Sequence, residues 1–214
     1  MAKRLAVYTA IIGNYDSFVP PLPGDYDLYL FSDTPHAAGW GKVKLVERKF
    51  EDPTRDARRI KILSHELLPE YEYTLWVDGT MRWKELNPEK LIEDWLGDKD
   101  LATVKHHERD CIYEEAAILM HFVRDNPELI KEQIIRYRAL GFPPGNGLAE
   151  TRMVLRRNGK EVSYFNDCWW NELKHGSRRD QVSFPVAAWM SGLKYRLIDA
   201  LYKDLGFAVD QHLK

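Results

Sequence analysis

The sequence predicts an α/β fold, one domain in which a central sheet carries helices on its faces, and three observations predict it. Runs rich in β-branched and aromatic residues (LAVYTAII, YDLYLFSD, YEYTLWVDGT, DLATVKHHE) alternate with stretches of helical period. The chain has 214 residues, 44% of them hydrophobic, enough for one sizeable core and short for two. No Ser/Gly linker, internal repeat or low-complexity tract divides it, so residues 1–214 are read as a single domain.

The elements follow in order. LAVYTAII stops at Gly13-Asn14, as a buried strand running into a loop does. FVPPLPGD carries three prolines, which exclude regular pairing and give a connection to YDLYLFSD, a strand ending on Asp33. WGKVKLVERKF, from Trp40, alternates as a third strand. At Asp52 the period changes: Asp then Pro marks a helix start, Ile60, Leu63, Leu67 and Leu68 mark its apolar side, and Pro69 closes it. YEYTLWVDGT is the next strand, NPEKLIEDWL a short capped helix, and DLATVKHHE a strand with His106 and His107 at its end. A long helix from about Asp125 to Leu140 ends at Gly141 and Pro143; GNGLAETRMVLRRN is a loop entering a strand; NDCWWNELKH is an aromatic helix, followed by the polar segment GSRRDQVSF.

Lys plus Arg at 31 nearly cancels Asp plus Glu at 33, so net charge gives no ground for nucleic acid or an anionic membrane as partner. Cys111 and Cys168 stand outside any CxxC or Cys/His zinc pattern, which predicts neither disulfide nor structural metal and fits a reducing cytoplasm. The basic, briefly apolar N-terminus is interrupted by Gly13, Asn14 and Asp16 before signal-peptide length, and no run reaches the length of a membrane span.

In open α/β sheets ligands lie beyond the carboxyl ends of the strands, where Asn14, Asp16, Asp33 and Asp78 fall. WVDGT ends an apolar strand on a carboxylate. Asp-Gly is also a turn dipeptide, and both roles stay open here. On the preceding helix Arg58 and Lys61, three apart, share a face, as solvated charge or as an anion cradle. Trp169 and Trp170 adjoin on a helix, so at least one points inward while the other can stack on a sugar. His106 and His107 face opposite ways on a strand: one is structural, while His107 or Glu114 is a candidate general base. Cys111 has no identifiable partner and reads as an inert buried thiol.

Taken together, TAIIGNYD, YLFSD, RRIKILSHELLPEYEYTLWVDGT, HERDCIYEEA, GLAETRMVLRRN and WWNEL with SRRDQVSF resemble, block by block and in one order from about Tyr8 to Phe184, the glycosyltransferase-like domain of unknown function 616, whose plant members are linked to mucilage and turgor. That group is similar to the GT-A superfamily of nucleotide-sugar transferases and, in layout, to glycosyltransferase family eight. The resemblance implies a Rossmann-like domain with a mixed central sheet. It implies a nucleoside-diphosphate sugar donor, linked to uridine diphosphate, and a glycan, lipid or protein acceptor. It places Thr9, Ala10, Asn14, Tyr15 and Asp33 at base and ribose, and Arg58 and Lys61 at phosphate or sugar. Asp180 and Gln181 fall at the donor sugar, the alternative being that Ser177 or Asp180 caps the next helix. Glu150 is the one acid of GLAETRM and a candidate acid or base, with His107, Trp170 and Arg179 in the acceptor or sugar pocket.

In GT-A enzymes an Asp-x-Asp at this strand end holds Mn or Mg. Here Asp78 matches the first acid and Thr80 replaces the second. Two arrangements stay open: a divalent cation on Asp78 with help from another acid or His, or cationic side chains such as Arg58, Lys61, Arg178 and Arg179 doing that work without it. The late histidines, His175 and His212, lack the family-eight pattern and are assigned to neither. The expected activity is glycosyl transfer. The rivals are a non-catalytic carbohydrate- or nucleotide-binding protein on the same fold and a metal-assisted hydrolase.

Overall fold

LAVYTAII is buried from Leu5 to Ile12, as a strand covered on both faces must be. It forms most of β1 (Lys3–Ile11) in a computed structural model that describes residues 3–16, 21, 23–35, 39 and 41–210. The other strands are β2 (Asp27–Ser32), β3 (Lys42–Leu45), β4 (Tyr71–Val77), β5 (Met81–Trp83), β6 (Leu101–Lys105), β7 (Ala149–Arg157), β8 (Arg196–Ile198) and β9 (Phe207–Val209). Seven of them make one mixed sheet in the order β3-β2-β1-β4-β7-β6-β8, and β5 pairs with β9 as a separate ribbon. Only β7 runs against its neighbours β4 and β6; the other pairings in this sheet are parallel.

Helices cover both faces because strand side chains alternate. On one face Ala6, Tyr8, Tyr29, Phe31, Trp76 and Val154 pack with Ile60, Phe165, Trp169 and Phe184 of α1 (Pro53–Ile62), α6 (Lys160–His175) and α7 (Asp180–Ser191). On the other, Leu5, Val7, Leu28, Leu75 and Leu155 pack with Leu91, Trp95 and Leu96 of α3 (Pro88–Leu96) and with the β5–β9 ribbon. The remaining helices are α2 (Ser64–Leu67), α4 (Ile112–His121) and α5 (Pro127–Ala139).

Several expected elements change. The helix from Asp52 does not run unbroken to Pro69: it stops at Ile62 and resumes as α2, the break falling at Leu63, whose backbone (φ -87, ψ 43) leaves the helical region. Asn126, not Asp125, caps α5, its side chain accepting from Glu128 N and Leu129 N. α6 begins at Lys160, ahead of Asn166. The third strand keeps only Lys42–Leu45; Trp40, like His212 and much of FVPPLPGD, lies outside the described residues.

Two features of the topology place a site. From β1 the chain goes to β2 on one side and, through α1, to β4 on the other, so the carboxyl ends of β1 and β4 flank the point where strand order reverses, where open α/β sheets receive ligands. Strand β7 then enters at that same edge. It carries Thr151 at φ 52, a left-handed conformation rare for a β-branched residue, and its register with β6 shifts between Thr103 and Lys105. Such a bulge re-aims side chains, and Glu150, Thr151 and Arg152 all lie at the rim.

Beneath the rim Arg156 is fully buried, donating to the Tyr8 hydroxyl (3.0 Å), the Asn166 side-chain oxygen (3.1 Å) and the Lys61 carbonyl (3.3 Å). Tyr8 in turn donates to the Lys61 carbonyl at 2.6 Å. Tyr8→Phe therefore strands a buried guanidinium N–H and weakens the satisfaction of a buried carbonyl. Chemical denaturation should show a loss of about 1–3 kcal/mol; a variant as stable as the parent would remove Tyr8 from this network.

Candidate active site

The WVDGT stretch forms a turn and leaves its acid free for the cations of α1. The Asp78 carbonyl accepts from Met81 N (2.9 Å), closing the turn through the main chain, and its carboxylate is left to point sideways. There Oδ1 accepts from the Trp76 indole N–H at 2.7 Å, with Lys61 Nζ at 3.7 Å and the Arg58 guanidinium at 3.8 Å. Arg58 and Lys61 reach it because α1 starts at Asp52, whose side chain accepts from Thr54 N beside Pro53, and so turns the predicted face toward β4.

Asp180 closes the cluster from the start of α7. Lys61 Nζ lies 2.5 Å from its Oδ2, Arg58 Nε 3.5 Å away, and the Thr151 hydroxyl donates to it at 3.2 Å. Neither Ser177 nor Asp180 caps α7: no side chain does, and Asp180 spends its carboxylate on these three groups. Lys61 is 1% exposed and Asp180 5%, against 21% for Asp78, so the first two form a buried pair and the third faces out. Burial opposes the Asp180 charge, yet Arg58 and Lys61 outweigh it and hold the carboxyl at about 2. Burial lowers the Lys61 pKa despite both acids. For Arg58 burial also works against the charge, and Asp180 with Asp78 more than compensates. Arg179 lies beside them; burial and then the Arg58 charge push its pKa down.

Around the bulge a second group gathers. Glu150 is buried, with Arg152 Nε 3.2 Å from one oxygen and His107 Nδ1 3.3 Å from the other. With Tyr202, Leu201 and Lys105 they line a small cavity of about 90 Å³, room for a few waters or a comparable polar group. It adjoins Asp78, whose N–H donates to the Arg152 carbonyl at 2.8 Å. The two histidines do not face opposite ways: both lie past the end of β6 at Lys105 and their rings stack at 5.6 Å, with His106 the structural member of the pair. It is buried, its Nδ1 accepts from Glu108 N and Arg109 N at 3.2 Å, and its Nε2 faces the Arg109 guanidinium at 3.3 Å. Glu114 points to solvent, and Glu115 is the buried acid, 2.7 Å from Arg109 Nε. A larger recess of about 550 Å³ lies at the opposite edge of the sheet, lined by His65, Asn158 and Tyr164 among others, away from these charges.

Other expected residues shift role. Thr9 and Ala10 are buried inside β1, so the edge is offered by Gly13 to Asp16 instead. Asp33 accepts twice from Gly13 N (3.0 and 3.1 Å) and Asn14 accepts from the Thr34 hydroxyl, so these polar groups shape the loop. Tyr15 is exposed and near enough to Arg58 to act on its charge. Gln181 is half-buried beside Asp180. Trp170 packs edge-on against Phe50 at 5.7 Å; it is fully buried Trp169 that meets the cluster, its indole donating to the Asp180 carbonyl at 3.2 Å. Arg178 is engaged by Asp52 (3.2 Å) and Asp125 (3.7 Å), tying α1 to the α4–α5 connection rather than facing a phosphate.

The donor set at Asp78 does not fit a divalent cation. Among the described residues, three-ligand groups occur at His106–His107–Glu150 and His65–Glu66–Asp167, and neither includes Asp78 or Asp180. Both His106 nitrogens already face donors. Around Asp78 stand an ammonium and a guanidinium, which repel a second positive charge.

Thr151, Trp76 and Arg156 were not foreseen as site residues. A Trp two residues before the strand-end acid was the one available sign, since a strand places both on the same face.

An α/β sheet that sets buried cations and paired carboxylates at its strand-order reversal is an open α/β domain with its charged side chains where such sheets receive ligands. Residues 30–205 match the TOD1/MUCI70, glycosyltransferase-like domain family, and the chain belongs to it. The probable hexosyltransferase MUCI70 of Arabidopsis thaliana is 26% identical over 155 residues, 68% of this chain and 26% of that protein. The alkaline ceramidase TOD1 of the same plant is 25% identical over 154 residues, 67% of this chain and 33% of that protein. The chain thus spans about a quarter to a third of these relatives. Among solved structures, apo mouse xyloside xylosyltransferase 1 aligns with TM-score 0.46 and 11% identity over 92% of this chain and 84% of that one. The mannosyltransferase Ktr4p of S. cerevisiae aligns with TM-score 0.44 and 10% identity over 87% and 65%. Among the described residues no helix is long and apolar enough to cross a membrane.

Proposed function

We propose that the chain is a GT-A type glycosyltransferase that moves a sugar from a nucleoside diphosphate, uridine diphosphate first among the candidates, to a hydroxyl acceptor. The observation that carries this reading is Lys61, buried between Asp180 at 2.5 Å and Asp78 at 3.7 Å at the strand-order reversal of a glycosyltransferase-like domain. Lys61 and Arg58 take the diphosphate, Asp180 and Gln181 face the donor sugar, and the loop from Gly13 to Asp16 faces base and ribose. In transfer, the bond from the anomeric carbon to the diphosphate oxygen breaks with its electron pair on that oxygen. The acceptor oxygen bonds the anomeric carbon, and its proton passes to the Glu150 carboxylate, which His107 and Arg152 hold beside the small cavity. A cytoplasmic location belongs to the same proposal, supported by Cys111 and Cys168 standing unpaired.

Incubation with a panel of nucleotide sugars and glycan, lipid and protein acceptors, following released nucleotide and thermal shift, should single out one donor that both stabilises the chain and is turned over. Stabilisation without turnover on any acceptor supports the binding-protein rival, and release of free sugar alone supports the hydrolase. A panel in which no nucleotide stabilises the chain sinks the proposal.

A further inference from the structure

The charged nitrogens left without a hydrogen bond at this site belong to two arginines. The Arg179 side chain makes neither hydrogen bond nor ion pair among the described residues, and its Nε is buried; the Arg58 Nε is likewise buried and makes no hydrogen bond, only the longer ion-pair contact with Asp180 at 3.5 Å. Behind them Arg156, fully buried, is bound by neutral groups only. Lys61, Arg58 and Arg179 therefore share two carboxylates, Asp78 and Asp180; Asp52 and Glu115, which also act on Arg58 and Arg179, are themselves engaged by Arg178 and Arg109, so the surplus charge of the cluster is positive. A buried surplus of N–H donors and positive charge is completed by an anion with several acceptor oxygens. A cation would add to the imbalance.

We infer that the leaving diphosphate is held, and the charge developing on its departing oxygen neutralised, directly by Lys61, Arg58 and Arg179, with no divalent cation between phosphate and protein. The inference rests on the nucleotide-sugar reading and specifies how that site handles its leaving group. Asp78 then serves as the carboxylate that orients Lys61 and Arg58, which accounts for a strand end that keeps one acid and has Thr80, 4% exposed, in place of the second.

The test is calorimetric titration of the full chain, freed of metal by chelation, with uridine diphosphate and with inorganic pyrophosphate, in EDTA and again in Mg²⁺ or Mn²⁺. Uridine diphosphate should bind equally well in EDTA and in metal, and pyrophosphate should bind in EDTA. Arg179→Gln, which leaves both carboxylates paired, should weaken binding in EDTA about tenfold or more. Lys61→Gln should do the same; because it strands a buried acid, Lys61→Gln combined with Asp180→Asn is measured beside it, with circular dichroism to show that each variant is folded. Binding that appears only with metal overturns the inference and leaves the nucleotide reading standing. Tight binding in EDTA that survives Arg179→Gln and the double variant also overturns it. Binding of neither probe in either buffer removes both readings together.

Discussion

Asp180→Asn is expected to lower the stability of the fold by about 3 kcal/mol, the lower end of what breaking a buried ion pair costs. Asparagine keeps the shape of the side chain, so the loss reports charge rather than a cavity. Lys61, 1% exposed, loses the carboxylate at 2.5 Å, and Arg58 loses the one at 3.5 Å, while Asp78, more exposed and shared between both cations at 3.7 and 3.8 Å, compensates only in part. Urea denaturation of parent, Asp180→Asn, Lys61→Met and the double variant closes the cycle. The double variant should recover most of the loss, because removing both charges removes the desolvation cost of each. The same carboxylate gives a pH signature. Its folded-state pKa of about 2 lies below the ordinary value near 3.9. Its contribution is therefore fully present above about pH 4 and is lost as pH falls toward 2, a change on the order of 3 kcal/mol that Asp180→Asn should not show. A single variant as stable as its parent, or one with the parent's acid limb, would mean that Lys61 does not depend on Asp180.

The fold was legible where burial is continuous. LAVYTAII, YDLYLFS, YEYTLWV and LATVK announce β1, β2, β4 and β6 because central parallel strands need apolar side chains on both faces. The three-residue strands β5, β8 and β9 carry too few residues for any period, and α4 starts after Cys111 with no side-chain cap to mark it. At the site, the acid of WVDGT and the Arg58–Lys61 spacing were readable because strand ends and helix faces are local geometry. What escaped is long-range. Trp169 rather than Trp170 meets Asp180 because the phase of α6 against the sheet is set by packing with Phe165 and Phe184. Arg178 and Arg179 read alike in sequence and diverge in the fold, one engaged by Asp52 and Asp125, the other left unpaired beside Arg58. The left-handed Thr151 has no local signal, since nothing in GLAETRM demands it; the bulge against β6 does.

Asp78→Asn should lower sugar transfer about 100-fold, the scale of losing the alignment of a reacting site, while changing stability by less than about 1 kcal/mol. Stability is spared because Asp78 is 21% exposed and its ion pairs are long, at 3.7 and 3.8 Å. The amide oxygen can still accept from the Trp76 indole at the position now bonded at 2.7 Å, so the turn keeps its shape and only the charge goes. Ground-state binding and transfer should then move in opposite directions. Without the Asp78 carboxylate the surplus positive charge around Lys61, Arg58 and Arg179 grows, and uridine diphosphate should bind in EDTA at least as tightly as to the parent. The transfer rate falls nonetheless, because tighter grip on the bound diphosphate does not favour the transition state when the cations that meet its departing oxygen are no longer held in place. A cation bridging Asp78 to phosphate predicts the reverse for binding, since the same substitution would then abolish the metal-dependent fraction. Calorimetry and a rate assay on this one variant separate the two, and an unchanged transfer rate would remove Asp78 from the reaction altogether.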